Sequence, residues 1–347
     1  MKILFVNGKY PFCYYYRGYL PGVYSGNYVV DDFMRKDMKV DKDVLMRKAK
    51  DSDVIVLQRP QNKERLALVK LFKSMGKKVI FENDDTYLVG KGIILERLEN
   101  DSQREIAIEL SNITNEILSL CDGAIASTET LANEYREINP NVAVLKNCID
   151  PLDEFTCKEN KTGKFRIGLV GSVTTNDDYL HIKDQIRKLD EREDVTFVVF
   201  GIKYTDGTNI SFMDEDRRFW ESLKNVEWQP YVHITEYMMT VADLALDLAI
   251  IPRQKSYFND CKSNLKFLEM SLLKIPVLAE DILPYQKDVY LTLVPNSDDW
   301  YNHIIDVKDN YTKYKELANK AHDYVLEEYN INNYAPQWVK TIETLCK

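Results

Sequence analysis

Residues 246–281 read LDLAIIPRQKSYFNDCKSNLKFLEMSLLKIPVLAED, and this stretch decides the fold. Leu246–Ile251 is an apolar run with one acid in it, closed by Pro252, as expected of a strand buried on both faces of a parallel sheet. A polar loop follows. From Ser263 the apolar residues Leu265, Phe267, Leu268, Leu272 and Leu273 recur at roughly helical spacing, with Ser263 placed as the N-cap. Ile275–Ala279 is strand again. A strand-helix-strand unit leaves the helix amino end, with its unpaired N–H groups and partial positive charge, at the carboxyl edge of the sheet, where α/β folds bind phosphate. Lys262, one residue ahead of that end, makes the place more positive.

The rest of the chain repeats this rhythm. Lys2–Asn7 is a buried-type strand ended by Gly8, with no G-x-G-x-x-G behind it. The segment that follows crowds Tyr10, Tyr14, Tyr15, Tyr16, Tyr19, Tyr24 and Tyr28 around Arg17. It reads either as aromatics capping the edge of a core or as an acceptor surface, since aromatic faces stack on sugar rings or bases and Arg can hold an anion. Asp53–Gln58 is a strand carrying Arg59 to its carboxyl end. Lys63–Met75 is an amphipathic helix stopped by Gly76, and Lys78–Phe81 delivers Glu82, Asn83, Asp84 and Asp85 to the same edge. Helices fill Leu95–Leu120, Asp122–Ser127 is strand, Glu129–Ile138 helix, and Val142–Leu145 closes this half. A second series runs through Phe165–Gly171, Val195–Gly201 and Val226–Tyr231 as strands, with helices at Asp178–Leu189, Asp214–Leu223 and His233–Val241. After Leu291–Val294 the tail is helical, ending in an amphipathic helix over Pro336–Cys346. Alternation at this spacing means doubly wound parallel sheets.

At 347 residues two domains are expected, with the linker in the polar stretch Pro151–Lys164. The domains expected are an amino-terminal one over 1–155 and a carboxyl-terminal one over 160–330. A closing helix over 331–347 is expected to return to the first. A net charge of −9 argues against a broad contact with a phosphate backbone, though a local basic groove can hide in an acidic average. The six cysteines are scattered and show no metal-ligand spacing, so reduced, packed thiols are expected. No apolar run reaches the length of a membrane span and Met1 leads straight into a strand, so the cytoplasm is the expected compartment.

Two strand-first halves, a central linker and a closing helix resemble the two-domain GT-B architecture, with Rossmann-like domains facing across a cleft. PRQKSYFNDCKSNLKFLEMSLLKIPVLAED is similar to the donor-site segment of family 4 (group 1) glycosyltransferases, in which K-S-x-x-K-x-x-E opens the helix. YYYRGYLP, VIVLQRP, KKVIFENDD, GAIASTETLANEYREINPNVAVLKNCID and RIGLVGS resemble other segments of that family. The resemblance implies an enzyme, a retaining glycosyltransferase that uses a nucleoside-diphosphate sugar, UDP-linked, as co-substrate. Its acceptor would be a glycan, a lipid-linked sugar or another hydroxyl, and no separate cofactor is implied.

Carried over by position, the resemblance puts the diphosphate on the backbone N–H groups of Ser263, Asn264 and Leu265 beside Lys262, and the ribose hydroxyls on Glu269. Gly171 and Ser172 would lie under sugar and phosphates, and Tyr231 near the base. Arg253, directly after a strand end, is a phosphate ligand or part of a solvated loop. In the first half Asp85 is the candidate to orient or deprotonate an acceptor hydroxyl, with Tyr16, Arg17, Arg59 and Asp84 around the acceptor; the alternative for Asp84 and Asp85 is a helix cap with an acidic first turn. One departure stands out. Family members commonly carry E-x7-E, and the position eight before Glu269 is Cys261, with Asp260 beside it.

No metal is expected. A cation and a helix dipole can stabilise a leaving diphosphate without one, and the adjacent pairs Asp84-Asp85, Asp177-Asp178 and Asp298-Asp299 point to opposite faces if extended, which chelates poorly. The histidines His181, His233, His303 and His322 share no motif and none is assigned to catalysis. Other readings remain: an enzyme acting on modified DNA bases, conceivable for a phage-like chain rich in Lys, Asn and Tyr, or a non-catalytic nucleotide-binding subunit.

Overall fold

A computed structural model describes residues 1–7, 11–29, 41–91, 100–171, 176–201 and 218–347. The chain divides into two compact units. Unit 1 comprises Met1–Asp150, Ser256–Ser263 and Tyr329–Lys347, and unit 2 comprises Pro151–Lys255 and Asn264–Glu328.

Unit 1 is built on a parallel sheet of β1 (Ile3–Val6), β2 (Tyr28–Val29), β3 (Val54–Gln58), β4 (Lys78–Asn83), β5 (Gly123–Ala126) and β6 (Val142–Val144), in the order β2-β1-β3-β4-β5-β6. The pairings Ile3↔Val54, Ile55↔Val79 and Ile80↔Gly123 set its register. β1, β3 and β5 are buried at every residue, which is why they read as unbroken apolar runs. Helices Lys42–Asp51, Lys63–Ser74, Asp101–Leu120 and Glu129–Arg136 begin at side-chain caps from Asp41, Asn62, Asn100 and Thr128. Part of the expected helix over 95–120 lies outside the described residues; the described part starts at Asp101. Helix Lys42–Asp51 and strand β2 have no counterpart in the sequence reading. The helix buries only Leu45 and Ala49, and β2 is a two-residue edge strand with no apolar run to mark it.

The tyrosine-rich segment is helical: Pro11–Tyr14, a π-helical turn over Tyr15–Tyr19, then Leu20–Tyr24. Tyr14, Tyr16, Arg17 and Leu20 face the interior. A Cβ on Gly18 would come within 2.2 Å of the Tyr14 ring, so that glycine lets an aromatic, rather than a phosphate, approach the backbone. The last helix, Ile331–Leu345, starts five residues ahead of the expected Pro336, capped by the Asn330 side chain, and carries Pro336 inside it. Trp338 on this helix is buried and meets Phe5 edge to face at 6.2 Å.

Unit 2 has the parallel sheet β7 (Phe165–Val170), β8 (Val195–Phe200), β9 (Val226–Gln229), β10 (Leu248–Ile251), β11 (Val277–Glu280) and β12 (Thr292–Val294), in the order β12-β11-β10-β7-β8-β9. Leu248↔Ile167, Ala249↔Val277 and Phe165↔Val195 give the register. Ile167, Leu169, Phe197, Val199, Trp220, Trp300 and Ile304 form the centre of its core. The helix expected over 178–189 is in two pieces, Asn176–Leu180 and Lys183–Asp190. The helix expected over 214–223 is described only from residue 218.

These orders locate the sites. In unit 2 the chain builds outward from β7 to β9, returns, and builds the other way from β10 to β12, so the connections leave in opposite directions between β7 and β10. In unit 1 the corresponding switch lies between β1 and β3. The crevice beyond the strand carboxyl ends at such a switch is where open α/β sheets bind ligands.

Candidate functional site

At the unit 2 switch, β7 leads into Gly171. Gly201 follows β8 with φ +82°, and a Cβ on it would fall 2.2 Å from the Gly171 carbonyl oxygen. The backbone can pack this closely only without a side chain, and Gly201→Ala is expected to lower stability by about 2–3 kcal/mol in urea unfolding. Ser172 lies outside the described residues. Beyond β10, the Arg253 guanidinium donates to Asp178 Oδ2 at 2.6 Å and the Gln254 N–H to Asp178 Oδ1 at 3.0 Å, so the loop after the strand is tied to the helix after β7. Tyr231, just past edge strand β9, is 58% exposed.

The helix that follows β10 runs over Leu265–Leu272, and its N-cap is Asn264 rather than Ser263. Asn264 makes no side-chain cap; its amide donates instead to both carboxylate oxygens of Asp288 at 2.9 Å. One turn along, Glu269 is 3% exposed. Its Oε2 accepts from the Tyr237 hydroxyl at 2.8 Å and from Lys266 Nζ at 2.7 Å, while Lys266 also donates to the Tyr237 oxygen at 2.6 Å. Tyr237 stacks on Phe200 at 5.8 Å, and burial, then the neighbouring Glu269, holds its hydroxyl well above the usual tyrosine range. It therefore acts as a donor that orients the carboxylate. Lys266 sits within the K-S-x-x-K-x-x-E motif at helical i, i+3 spacing from Glu269, the signal that could have singled it out; Tyr237 and Asp178 carry no such signal.

Residues 256–263 belong to unit 1. Cys261 is fully buried in that unit's core, and its carbonyl accepts from Thr128 Oγ1 at 2.8 Å. Tyr257 donates to Glu134 at 3.1 Å and Asn147 to Ser263 Oγ at 2.7 Å. Cys261 is thus a buried side chain with Tyr257 and Glu134 beside it, and an unpaired glutamate in its place would bury a charge next to another carboxylate. Lys262 Nζ reaches both oxygens of Asp85 at 2.9 Å, and Arg59 reaches Asp85 Oδ2 at 3.3 Å. Arg59 follows β3 with φ +51°, and its guanidinium lies 4.9 Å over the Tyr87 ring.

The structure brings together Arg59, Asp85 and Lys262 in unit 1, and Asn264, Leu265 and Glu269 on one helix of unit 2. It does not place Arg17 on a surface. Arg17 is fully buried, donating from Nε to Glu82 Oε1 at 2.6 Å and from Nη1 to Asn147 Oδ1 at 3.1 Å, beneath Trp338 at 4.9 Å. Tyr16 is 3% exposed, while Tyr15 and Tyr19, stacked at 5.9 Å, are half-buried and Tyr28 is exposed. Burial, with Arg17 opposing it and Asp84 adding to it, pushes the Glu82 carboxyl up to about 8. Among the described residues no three His, Cys, Asp or Glu side chains converge as a metal site, and no helix is long and apolar enough to cross a membrane.

No family model and no curated protein matches the chain. Solved structures do. HepE of Anabaena in complex with UDP and glucose matches with a TM-score of 0.68 at 12% identity, over 99% of this chain and 99% of that one. A glycosyltransferase from Rickettsia africae ESF-5 matches at 0.64 and 11% identity, over 100% and 98%. Sucrose-phosphate synthase from Thermosynechococcus elongatus matches at 0.62 and 11%, over 91% and 79%. At these identities the likeness is one of fold. The chain has the GT-B fold, with two Rossmann-like domains each carrying a six-stranded parallel sheet.

Proposed function

We propose that the chain is a glycosyltransferase that moves a sugar from a nucleoside-diphosphate sugar, UDP-linked, to a hydroxyl acceptor such as a glycan or lipid-linked sugar, with retention at the anomeric carbon and without a metal. The observation that carries the reading is Glu269, a carboxylate held by Tyr237 and Lys266 on the helix that follows β10 at the topological switch of unit 2. A buried, oriented carboxylate suits the two hydroxyls of a ribose. The amino end of the same helix, with its partial positive charge, suits a diphosphate.

In this reading Asn264, Leu265 and Ser263 offer N–H groups to the diphosphate, Lys262 and Arg253 supply positive charge, Gly171 and Ser172 leave room for sugar and phosphate, and Tyr231 lies by the base. As the glycosidic bond breaks, negative charge grows on the leaving diphosphate, and the helix end and Lys262 stabilise it. Asp85 orients the attacking hydroxyl, with Arg59 and Asp84 nearby. This reading invokes no divalent ion; Asp85 is paired with Lys262 and Arg59, and Asp178 with Arg253.

The test is a panel of UDP- and GDP-sugars with hydroxyl acceptors, monitoring release of the nucleoside diphosphate. Release from a UDP-sugar that persists in excess EDTA is expected, with loss in Lys262→Ala. Absence of release from every donor, with nucleotide binding intact, would instead indicate a nucleotide-binding subunit.

A further inference from the structure

Helix Leu265–Leu272 carries its charges in an order that does not serve the helix. Its first turn holds a cation, Lys266, and no acid, and its last turn holds no cation. A helix amino end disfavours positive charge, and a lysine ahead of its glutamate is the poorer order for a pair one turn apart. Helix stability therefore does not account for Lys266. Its contacts do. Lys266 Nζ donates to Glu269 Oε2 at 2.7 Å and to the Tyr237 oxygen at 2.6 Å, and the Tyr237 hydroxyl donates to the same Oε2 at 2.8 Å. The three side chains, all in unit 2, close a ring of hydrogen bonds. An ammonium accepts nothing, so within the ring the Tyr237 proton goes to Glu269. Lys266 thus fixes the carboxylate twice, directly and by setting the direction of the tyrosine hydroxyl. Only 4% of the Glu269 side chain is exposed, against 21% of the Lys266 side chain, so removing the cation would leave the acid buried without it.

Resting on the donor reading above, we propose that Lys266 is a positioning residue for the ribose. Through Glu269 and Tyr237 it sets how strongly the site prefers a ribonucleotide to one lacking the 2′ and 3′ hydroxyls. A site built to hydrogen-bond a hydroxyl rejects the analogue without it only while its own polar groups are held in place. The rival role for a lysine at a helix amino end is direct contact with the diphosphate. The two roles differ in the part of the nucleotide through which the lysine is felt. A positioning lysine matters to every ligand with ribose hydroxyls, whatever its phosphates. A phosphate ligand matters to every diphosphate, whatever its ribose.

Calorimetric titration of UDP, UMP and 2′,3′-dideoxy-UDP into the wild-type chain, Lys266→Met, Lys266→Gln and Glu269→Ala separates them. Both Lys266 variants are expected to weaken UDP and UMP alike by about tenfold, the scale of one charge-assisted bond, and 2′,3′-dideoxy-UDP by less than about twofold. The preference for UDP over its dideoxy form then falls about tenfold. Adding Lys266→Met to Glu269→Ala should change UDP affinity by less than about twofold, since the carboxylate it positions is gone. Two replacements are used so that a fold defect in one, seen by thermal melting, leaves the other to decide. An equal loss with 2′,3′-dideoxy-UDP, a loss for UDP that UMP does not share, or no loss in either Lys266 variant overturns the positioning role. A wild-type chain that does not bind UDP, or a Glu269→Ala chain that binds it as tightly as wild type, overturns the donor reading instead, and so the two failures are told apart.

Discussion

Replacing Glu269 by Ala is expected to lower kcat/KM for the nucleotide sugar by about a hundredfold or more, while the chain stays folded. A ribose donating two hydroxyls to one carboxylate makes charge-assisted bonds of about 1.5–3 kcal/mol each, and every 1.4 kcal/mol is about tenfold. The carboxylate is 3% exposed and already oriented by Tyr237 and Lys266, so little ordering is left to offset that gain. Initial-rate kinetics at varied donor measure it. A 2′,3′-dideoxy donor should show a like loss with the wild-type chain and no further loss with the variant, a pattern that general destabilisation would not produce.

The second large effect is on stability. Arg17→Met is expected to cost about 3–5 kcal/mol, because it leaves Glu82 buried without its cation. Both side chains have no exposed surface and are joined at 2.6 Å. Among the described residues, Glu82 Oε2 and Arg17 Nη2 already lack a hydrogen-bond partner, so the pair has no reserve. Urea unfolding of Arg17→Met against Arg17→Met/Glu82→Leu separates the causes: the double variant should recover most of the loss, since the cost lies in a buried carboxyl left without its partner rather than in a missing attraction.

This pair also marks where sequence reasoning stops. The strands were legible because parallel strands buried on both faces are near-continuous apolar runs, as in Val54–Gln58 and Val195–Phe200, where Gln58 and Thr196 are the only polar residues. Helix starts were legible where a cap precedes an apolar period, as at Thr128, and shifted where a competing signal intervened: Pro336 reads as a first helical residue, yet the helix capped by Asn330 starts five residues earlier, at Ile331. Edge strand β2 left no trace because two residues carry no period. In the candidate site, Glu269 and the glycine at the end of β7 were legible from local order. The state of each cation was not. Arg17 finds Glu82 65 residues away, Arg253 finds Asp178 75 away and Lys262 finds Asp85 177 away. Local pattern cannot encode such pairings, so the choice between a core edge and an acceptor surface around Arg17 stayed open in the sequence, and in the structure Arg17 is buried against Glu82. The same limit applied to Cys261, which packs against the core of unit 1.

Whether Glu269 holds the ribose is decided by calorimetric titration of UDP into the wild-type chain, repeated with 2′,3′-dideoxy-UDP and with Glu269→Ala. One UDP per chain is expected, with affinity reduced by comparable factors when the ribose hydroxyls or the Glu269 carboxylate is removed, and no further loss when both are. Equal affinity of Glu269→Ala and wild type for UDP would contradict it.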